Sequence, residues 1–488
     1  MPSGEKRAPP ALLFAVIAAT IALRLVVGAL TPLTEDEAYY RLWSMAPAFG
    51  YYDHPPMIAW WIWVGRQVAG DTALGVRLLP ILASAATSLL VFDAGRLAGA
   101  TRATASRAGV WFNAMLLVLA GGFLAVPDAP ASLFWAATLW CALRAVGGRS
   151  LTWWALAGAS AGLACLSKYS ALFIAPGVLI WLTVSAKGRA QLRTPGPWLA
   201  AAIAAALFSA NLAWNADHHW LTFAKQFGRV TAHRFAPRYL TDLIAAQALL
   251  LNPLIALFAG AAIVVRPRPD RAGADLTAFF ALAAPFAAYL ILHSLHDRVQ
   301  AHWPAPLYPL LAVCAAEGAA RLADQTVWRR LAMAAPWLGV SLGAVALVVL
   351  ATPGGVYGRY DAALPVRGWG PFTARLEAMR QGSGAAWVGT ASYGLAAQLA
   401  DQRGLGAPVF QLAERDRWNG LGAAPDLARP GLAVDLTRRL GAASLTGCFA
   451  AVTPLGVVTR GDPGEKGKSY AVFLVAGPRR DALARGCW

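Results

Sequence analysis

Apolar residues in this chain fall into long blocks, each closed by a polar step or one containing Pro and Gly. As a helix, a block of about 20 such residues crosses a hydrocarbon core of roughly 30 Å. Blocks at 11–30, 74–95, 109–125, 130–147, 153–167, 170–186, 198–214, 241–265, 276–293, 305–320 and 331–351 predict an α-helical polytopic membrane protein with about 11 transmembrane helices. The two blocks flanking LSKYS at 166–170 are short for spans. No small-residue cleavage site follows the first block, which therefore reads as a retained helix and not a removed signal peptide.

After Thr352 the period changes. AAWVGT at 385–390 and APVFQL at 407–412 read as strands, and SYGLAAQLADQRG at 392–404 reads as a helix closed by Gly404. SLTGCFAAV and SYAVFLVAG add two more strands, with a turn at 461–468 between them. The chain thus divides into a transmembrane domain at 1–351 and a small C-terminal α/β domain at 352–488, outside the membrane. The α/β domain has no Gly-rich phosphate loop or nucleophile elbow at a strand end, so its expected role is to cover or support the membrane part.

Basic residues occupy alternate steps between the blocks: Lys6 and Arg7; Arg96, Arg102 and Arg107; Arg149; Lys187, Arg189 and Arg193; Arg266, Arg268 and Arg271; Arg321, Arg329 and Arg330. The positive-inside rule puts these on the cytoplasmic side, together with the amino terminus. The steps at 34–56, 126–130, 166–170, 215–240 and 296–306, and everything after Thr352, then lie outside. Composition agrees with the block pattern, since the chain is 58% hydrophobic and only 14% charged. A net charge of +17 would point to nucleic acid in a soluble protein. Here it reports topology, and the expected partners are membrane lipids, not nucleic acid. Of the five Cys, Cys141, Cys165 and Cys314 lie in apolar blocks. Cys448 and Cys487 are the pair in the outer part, where an oxidising compartment favours a disulfide between them.

The step TEDEAYYRLWSMAPAFGYYDHPP at 34–56 breaks the chain's economy of charge by setting Glu35, Asp36, Glu37, Asp53 and His54 at the mouth of the first span. Carboxylates are costly beside lipid, so this cluster is expected to face water, substrate or metal. Its aromatic residues also suit an interfacial belt. Asp128 sits in the short PDAP turn on the same side, where an Asp also fits a helix cap. LSKYS contributes Lys168, and HDRVQAHWPAP contributes Arg298 and His302, although a lone cation at a span end often only snorkels. The loop at 215–240 is an outer loop rich in base, with Lys225, Arg229, Arg234 and Arg238. An anionic lipid phosphate would hold such charge outside, and a solvated basic loop is the alternative.

The steps DE, DHPP and PDAP, in this order on one side, resemble those of the GT-C superfamily of membrane glycosyltransferases. The nearest pattern is that of bacterial families 39 and 83, which include protein mannosyltransferases and the aminoarabinose and galacturonic acid transferases of lipid A. The resemblance covers the membrane part and implies a multi-pass enzyme of the bacterial inner membrane. Such an enzyme moves a sugar, with inversion, from a polyprenyl-phosphate donor to a lipid, polysaccharide or protein acceptor on the periplasmic face. It implies Asp36 as general base beside Glu37, with Asp128 as the second acid of the site. Glu37 would point about 100° away from Asp36 on a helix, so the two rarely serve one atom. Asp53, His54, Lys168, Arg229, Arg234, Arg298 and His302 are the expected donor-phosphate residues. Members acting on lipid A commonly carry Lys where His54 stands, which leaves open both phosphate binding at this step and a divalent metal. Two other classes also place charge in such a chain. A secondary transporter would hold it near mid-membrane in repeated, broken helices, and a non-catalytic envelope assembly factor would not require acids and bases to converge on one face.

Overall fold

A computed structural model describes residues 10–228, 235–267, 273–351, 364–402, 404–418, 421–422, 425–461 and 467–479. Among them, six helices are long and apolar enough to cross a membrane: Ala11–Leu30, Ala73–Leu97, Asp128–Gly148, Gly196–Asp217, Thr277–Ser294 and Thr326–Val349. Two bent helix pairs raise the number to eight if each is one span, against the about 11 expected.

Blocks 153–167 and 305–320 form helices of only 15 and 14 residues, Leu151–Cys165 and Tyr308–Arg321, and local chemistry interrupts two other blocks. The block at 241–265 is two helices, Arg238–Leu250 and Pro253–Val264, which meet at 110°. Pro253 disfavours helical backbone at the residue before it. Asn252 takes φ +74°, and its side chain accepts from the Leu254 amide at 3.1 Å and donates to the Ala335 carbonyl at 2.7 Å. The block at 109–125 is likewise split, because Met115 is extended between Arg102–Ala114 and Leu116–Gly121. Several helices escaped the pattern, among them Trp369–Ser383 and Met57–Ala69, the latter only 13 residues long and directly after the DHPP step.

Four helices frame the polar cluster at the mouth of the first span: α1 (Pro10–Leu30), α2 (Glu35–Trp43), α3 (Met57–Ala69) and α4 (Ala73–Leu97). Helix α2 opens with a reciprocal cap in which the Thr34 hydroxyl accepts from the Glu37 amide at 3.2 Å and Glu37 Oε2 accepts from the Thr34 amide at 3.0 Å. The Glu37 carboxylate also meets Arg77 of α4 in a fork, Nε to Oε1 at 2.7 Å and Nη2 to Oε2 at 2.6 Å, with neither side chain exposed. Arg77 donates further to the carbonyls of Gly28, Thr31 and Pro32, at the end of α1. The Ala125 amide, three residues before Asp128, donates to Glu37 Oε1 at 3.0 Å. One buried pair thus ties α1, α2, α4 and the turn before Asp128 together.

The C-terminal residues build a five-stranded sheet from β1 (Trp387–Thr390), β2 (Val409–Gln411), β3 (Gly431–Leu436), β4 (Phe449–Arg460) and β5 (Lys468–Pro478). Its order is β2-β1-β3-β5-β4, with β1 parallel to β2 and β3, and β5 antiparallel to β3 and β4. Strand β3 was not among the expected elements, because its short, almost wholly buried run GLAVDL lacks the alternation that marks a half-buried strand. Cys448 is disulfide-bonded, and its expected partner Cys487 lies outside the described residues.

This sheet and its helices rest on α2. Tyr39, Trp43 and Tyr51 share one hydrophobic cluster with Trp369, Phe372 and Leu395. Gln398 donates to the Leu33 carbonyl at 2.7 Å, and Arg41 pairs with both Asp71 and Asp401.

Replacing Arg77 by Met strands the buried Glu37 charge, and a loss of about 3–5 kcal/mol of stability is expected. The double change Glu37→Gln/Arg77→Met removes both charges and should recover most of that loss. Thermal unfolding followed by tryptophan fluorescence checks the order, and a parental melting temperature for the single variant would refute the anchoring role.

Candidate active site

Because Glu37 is consumed by its anchor, its neighbour on α2 is the carboxylate left to face a cavity. Asp36 lines a space of about 290 Å³ together with Thr34, Asp128, His302 and Tyr308. Most of the remaining lining is apolar. Asp36 Oδ1 accepts a hydrogen bond from the Tyr393 hydroxyl at 2.9 Å. Burial pushes the Asp36 carboxyl above the ordinary carboxylate range, while the bond from Tyr393 opposes this. A carboxylate so raised takes up a proton more readily than one in water.

Asp128 is the first residue of the helix Asp128–Gly148, and the cap position itself is Pro127. Its side chain is therefore not a cap. Asp128 Oδ1 pairs with Lys168 Nζ at 2.6 Å, and His302 Nε2 stands 3.8 Å from Oδ2. Lys168 is held where the helix Leu151–Cys165 ends and the 3₁₀ turn Tyr169–Phe173 begins. Lys168 also lines a second chamber of about 140 Å³, with His54, Gln226, Tyr289, His293 and Trp303. The Lys168–Asp128 pair thus forms the partition between the two chambers. His302 is lowered below the usual imidazole range, first by desolvation, with Asp128 opposing and Lys168 adding to the shift.

Other expected site residues are placed differently. All four acceptor positions of Glu37 are engaged, by Arg77 twice, Thr34 and Ala125, so it holds the site instead of facing the cavity. Asp53 turns toward the sheet side, where Oδ1 pairs with Arg417 at 3.1 Å and Oδ2 accepts from the Tyr39 hydroxyl at 3.2 Å. Arg298 is exposed and lines neither chamber. Arg229 and Arg234 lie outside the described residues. Lys225, from the same basic loop, pairs with Glu414.

Sequence reasoning missed Tyr393 and Arg417, both from the C-terminal part. Arg417 lies 4.3 Å from the Tyr393 ring and pairs with Asp53 and Glu414, so it steadies the tyrosine that reaches Asp36. Nothing in their local sequence marks them, since Tyr393 opens an ordinary amphipathic helix. As for a metal, no group of three His, Cys, Asp or Glu able to hold an ion occurs among the described residues. Asp128 has the Lys168 ammonium against it.

Residues 53–214 match the dolichyl-phosphate-mannose-protein mannosyltransferase family. Over 189 residues the chain is 33% identical to the lipid A galacturonosyltransferase RgtD of Rhizobium johnstonii, a match covering 38% of each protein. The chain thus spans well under half the length of that relative. The fold is similar to that of ArnT from Cupriavidus metallidurans bound to undecaprenyl phosphate, with a TM-score of 0.63 at 14% identity over 95% of this chain and 98% of that one. The mycobacterial arabinofuranosyltransferase AftD gives a TM-score of 0.53 at 12% identity, over 96% of this chain and 40% of that one. The fold is therefore GT-C-like, in a multi-span membrane protein.

Tyr393→Phe removes the donor that favours the Asp36 carboxylate, so the protonation midpoint of Asp36 should move to higher pH. Infrared difference titration of the protonated-carboxyl band, with Asp36→Asn as the blank, reads this directly. A midpoint unchanged by Tyr393→Phe would show that the bond does not act on Asp36.

Proposed function

We propose that the protein is a membrane glycosyltransferase that moves a sugar from a polyprenyl-phosphate donor to an acceptor hydroxyl or amine. The observation that carries this reading is the two-chamber geometry. Asp36, Asp128 and His302 line one cavity, and the Lys168–Asp128 pair joins it to the chamber containing His54. The match over residues 53–214 and the GT-C-like fold support it.

In this reading the donor phosphate lies toward Lys168 and His54, the acceptor lies in the Asp36 cavity, and the sugar spans the partition. Asp36 accepts the proton of the acceptor as its oxygen or nitrogen bonds to the anomeric carbon. The bond from that carbon to the phosphate oxygen breaks on the opposite face, which inverts the centre. The charge developing on the departing phosphate is met by the Lys168 ammonium, which Asp128 holds in place. Tyr393 keeps the Asp36 carboxylate oriented, and Arg417 keeps Tyr393 in place.

The acceptor in this reading is a glycolipid. A groove of about 520 Å³, mostly apolar, shares Thr34 and Leu124 with the Asp36 cavity and runs along α1 and the helix Thr326–Ala351. It suits acyl chains entering from the bilayer, and the similarity to a lipid A transferase supports the same class. The basic steps between spans put the amino terminus in the cytoplasm, and the chambers and the sheet on the periplasmic side.

Asp36→Asn keeps the size of the base and removes its function, so turnover should fall by about 10² to 10⁴ while the apparent donor affinity is kept. The assay follows product by mass spectrometry, with purified protein, a synthetic polyprenyl-phosphate sugar and a glycolipid acceptor. Transfer at the parental rate by well-folded Asp36→Asn protein would overturn the assignment.

A further inference from the structure

At the end of the molecule away from Asp36, three of the basic residues noted for topology converge on a single cavity. Arg107, Arg329 and Arg330, with Thr326 and Met333, line a space of about 410 Å³, and among the described residues none that lines it is acidic. Arg329 Nη2 donates to the Thr326 hydroxyl at 3.1 Å, and the Arg107 guanidinium stands 5.9 Å from the Trp111 ring centre. Neither contact supplies negative charge. Three guanidinium groups facing one space repel one another unless an anion lies among them. The helix Thr326–Ala351 also begins here, so its free amide groups add positive potential at the same point.

The same helix indicates what carries the anion. Met333, Trp337 and Val340 are 65%, 72% and 55% exposed. Spaced by four and three residues, they share one face, which leads from the arginines along the span. At 1.5 Å per residue, Val349, which lines the far end of the apolar groove beside Thr34, lies roughly 30 Å along the helix from Arg329. The arginines therefore sit at the opposite membrane surface from the two chambers.

We propose that this pocket binds the phosphate of an anionic phospholipid, with the acyl chains lying along Met333 and Trp337. Bidentate contacts from arginine suit a phosphate, and the exposed apolar strip suits chains that a free anion lacks. The site is separate from the two chambers and does not depend on the reaction assigned to them.

The test uses the full chain in detergent micelles, with native mass spectrometry of added phosphatidylglycerol or phosphatidylcholine. The parental protein should retain phosphatidylglycerol in preference to phosphatidylcholine. Arg329→Gln/Arg330→Gln, two exposed positions whose change leaves the fold intact, should weaken phosphatidylglycerol binding about tenfold or more and leave phosphatidylcholine unchanged. An unaltered preference in the double variant would overturn the proposal. Displacement of phosphatidylglycerol by equimolar inorganic phosphate would overturn the lipid assignment in favour of a free anion, and persistence of the lipid under excess phosphate supports it.

Discussion

The fork between Arg77 and Glu37 is the constraint on which the site depends. Two unexposed charges in an apolar bundle persist only when each satisfies the other and the remaining lone pairs and protons are also met. Here the guanidinium bonds the carboxylate and three carbonyls, while the carboxylate accepts two further amides. The pair therefore fixes more than its own geometry. It sets how α1 ends, how α2 begins, where α4 passes and where the turn leading to Asp128 lies. Asp36 and Asp128 reach one cavity because both chain segments are tied to Glu37.

Helix α2 also lies between two hydrophobic bodies. One side meets the bundle, and the other meets the unit built on the five-stranded sheet. That unit delivers the Tyr393 hydroxyl to Asp36 and the Arg417 guanidinium to Asp53. The site is thus composite. Its floor comes from span ends, and part of its roof comes from residues more than 300 positions later in the chain.

Charge is arranged by the same economy throughout. Lipid makes isolated ionised groups costly along the spans, so most titratable residues gather at helix ends, while Arg24, buried within α1, donates to the Ser84 hydroxyl and the Val118 carbonyl. At one end acids and bases alternate and neutralise each other across the two chambers. At the other, Arg107, Arg329 and Arg330 gather with no acid among the described residues that line their pocket. Paired charge suits proton and phosphate chemistry, whereas unpaired positive charge suits an anionic partner.

Read alone, the sequence determined the class of molecule. Block length and apolarity alone specify helical spans, because no other backbone arrangement satisfies its hydrogen bonds inside lipid without closing a barrel. It also singled out Asp36, Asp128, Lys168, His54 and His302, since charged residues at span ends in so apolar a chain carry information. Span number was less legible. Pro253 after Asn252 and the extended Met115 break blocks whose hydropathy reads as continuous, and hydropathy does not register backbone direction. Tertiary structure alone decided which member of the acidic pair faces the cavity. Adjacent residues on a helix point about 100° apart, and only the position of Arg77, forty residues on, determines that Glu37 turns inward and Asp36 outward. It alone brought Tyr393 and Arg417 to the site, because a contact across such a separation depends on how two units pack, and neither residue's neighbours in sequence record that.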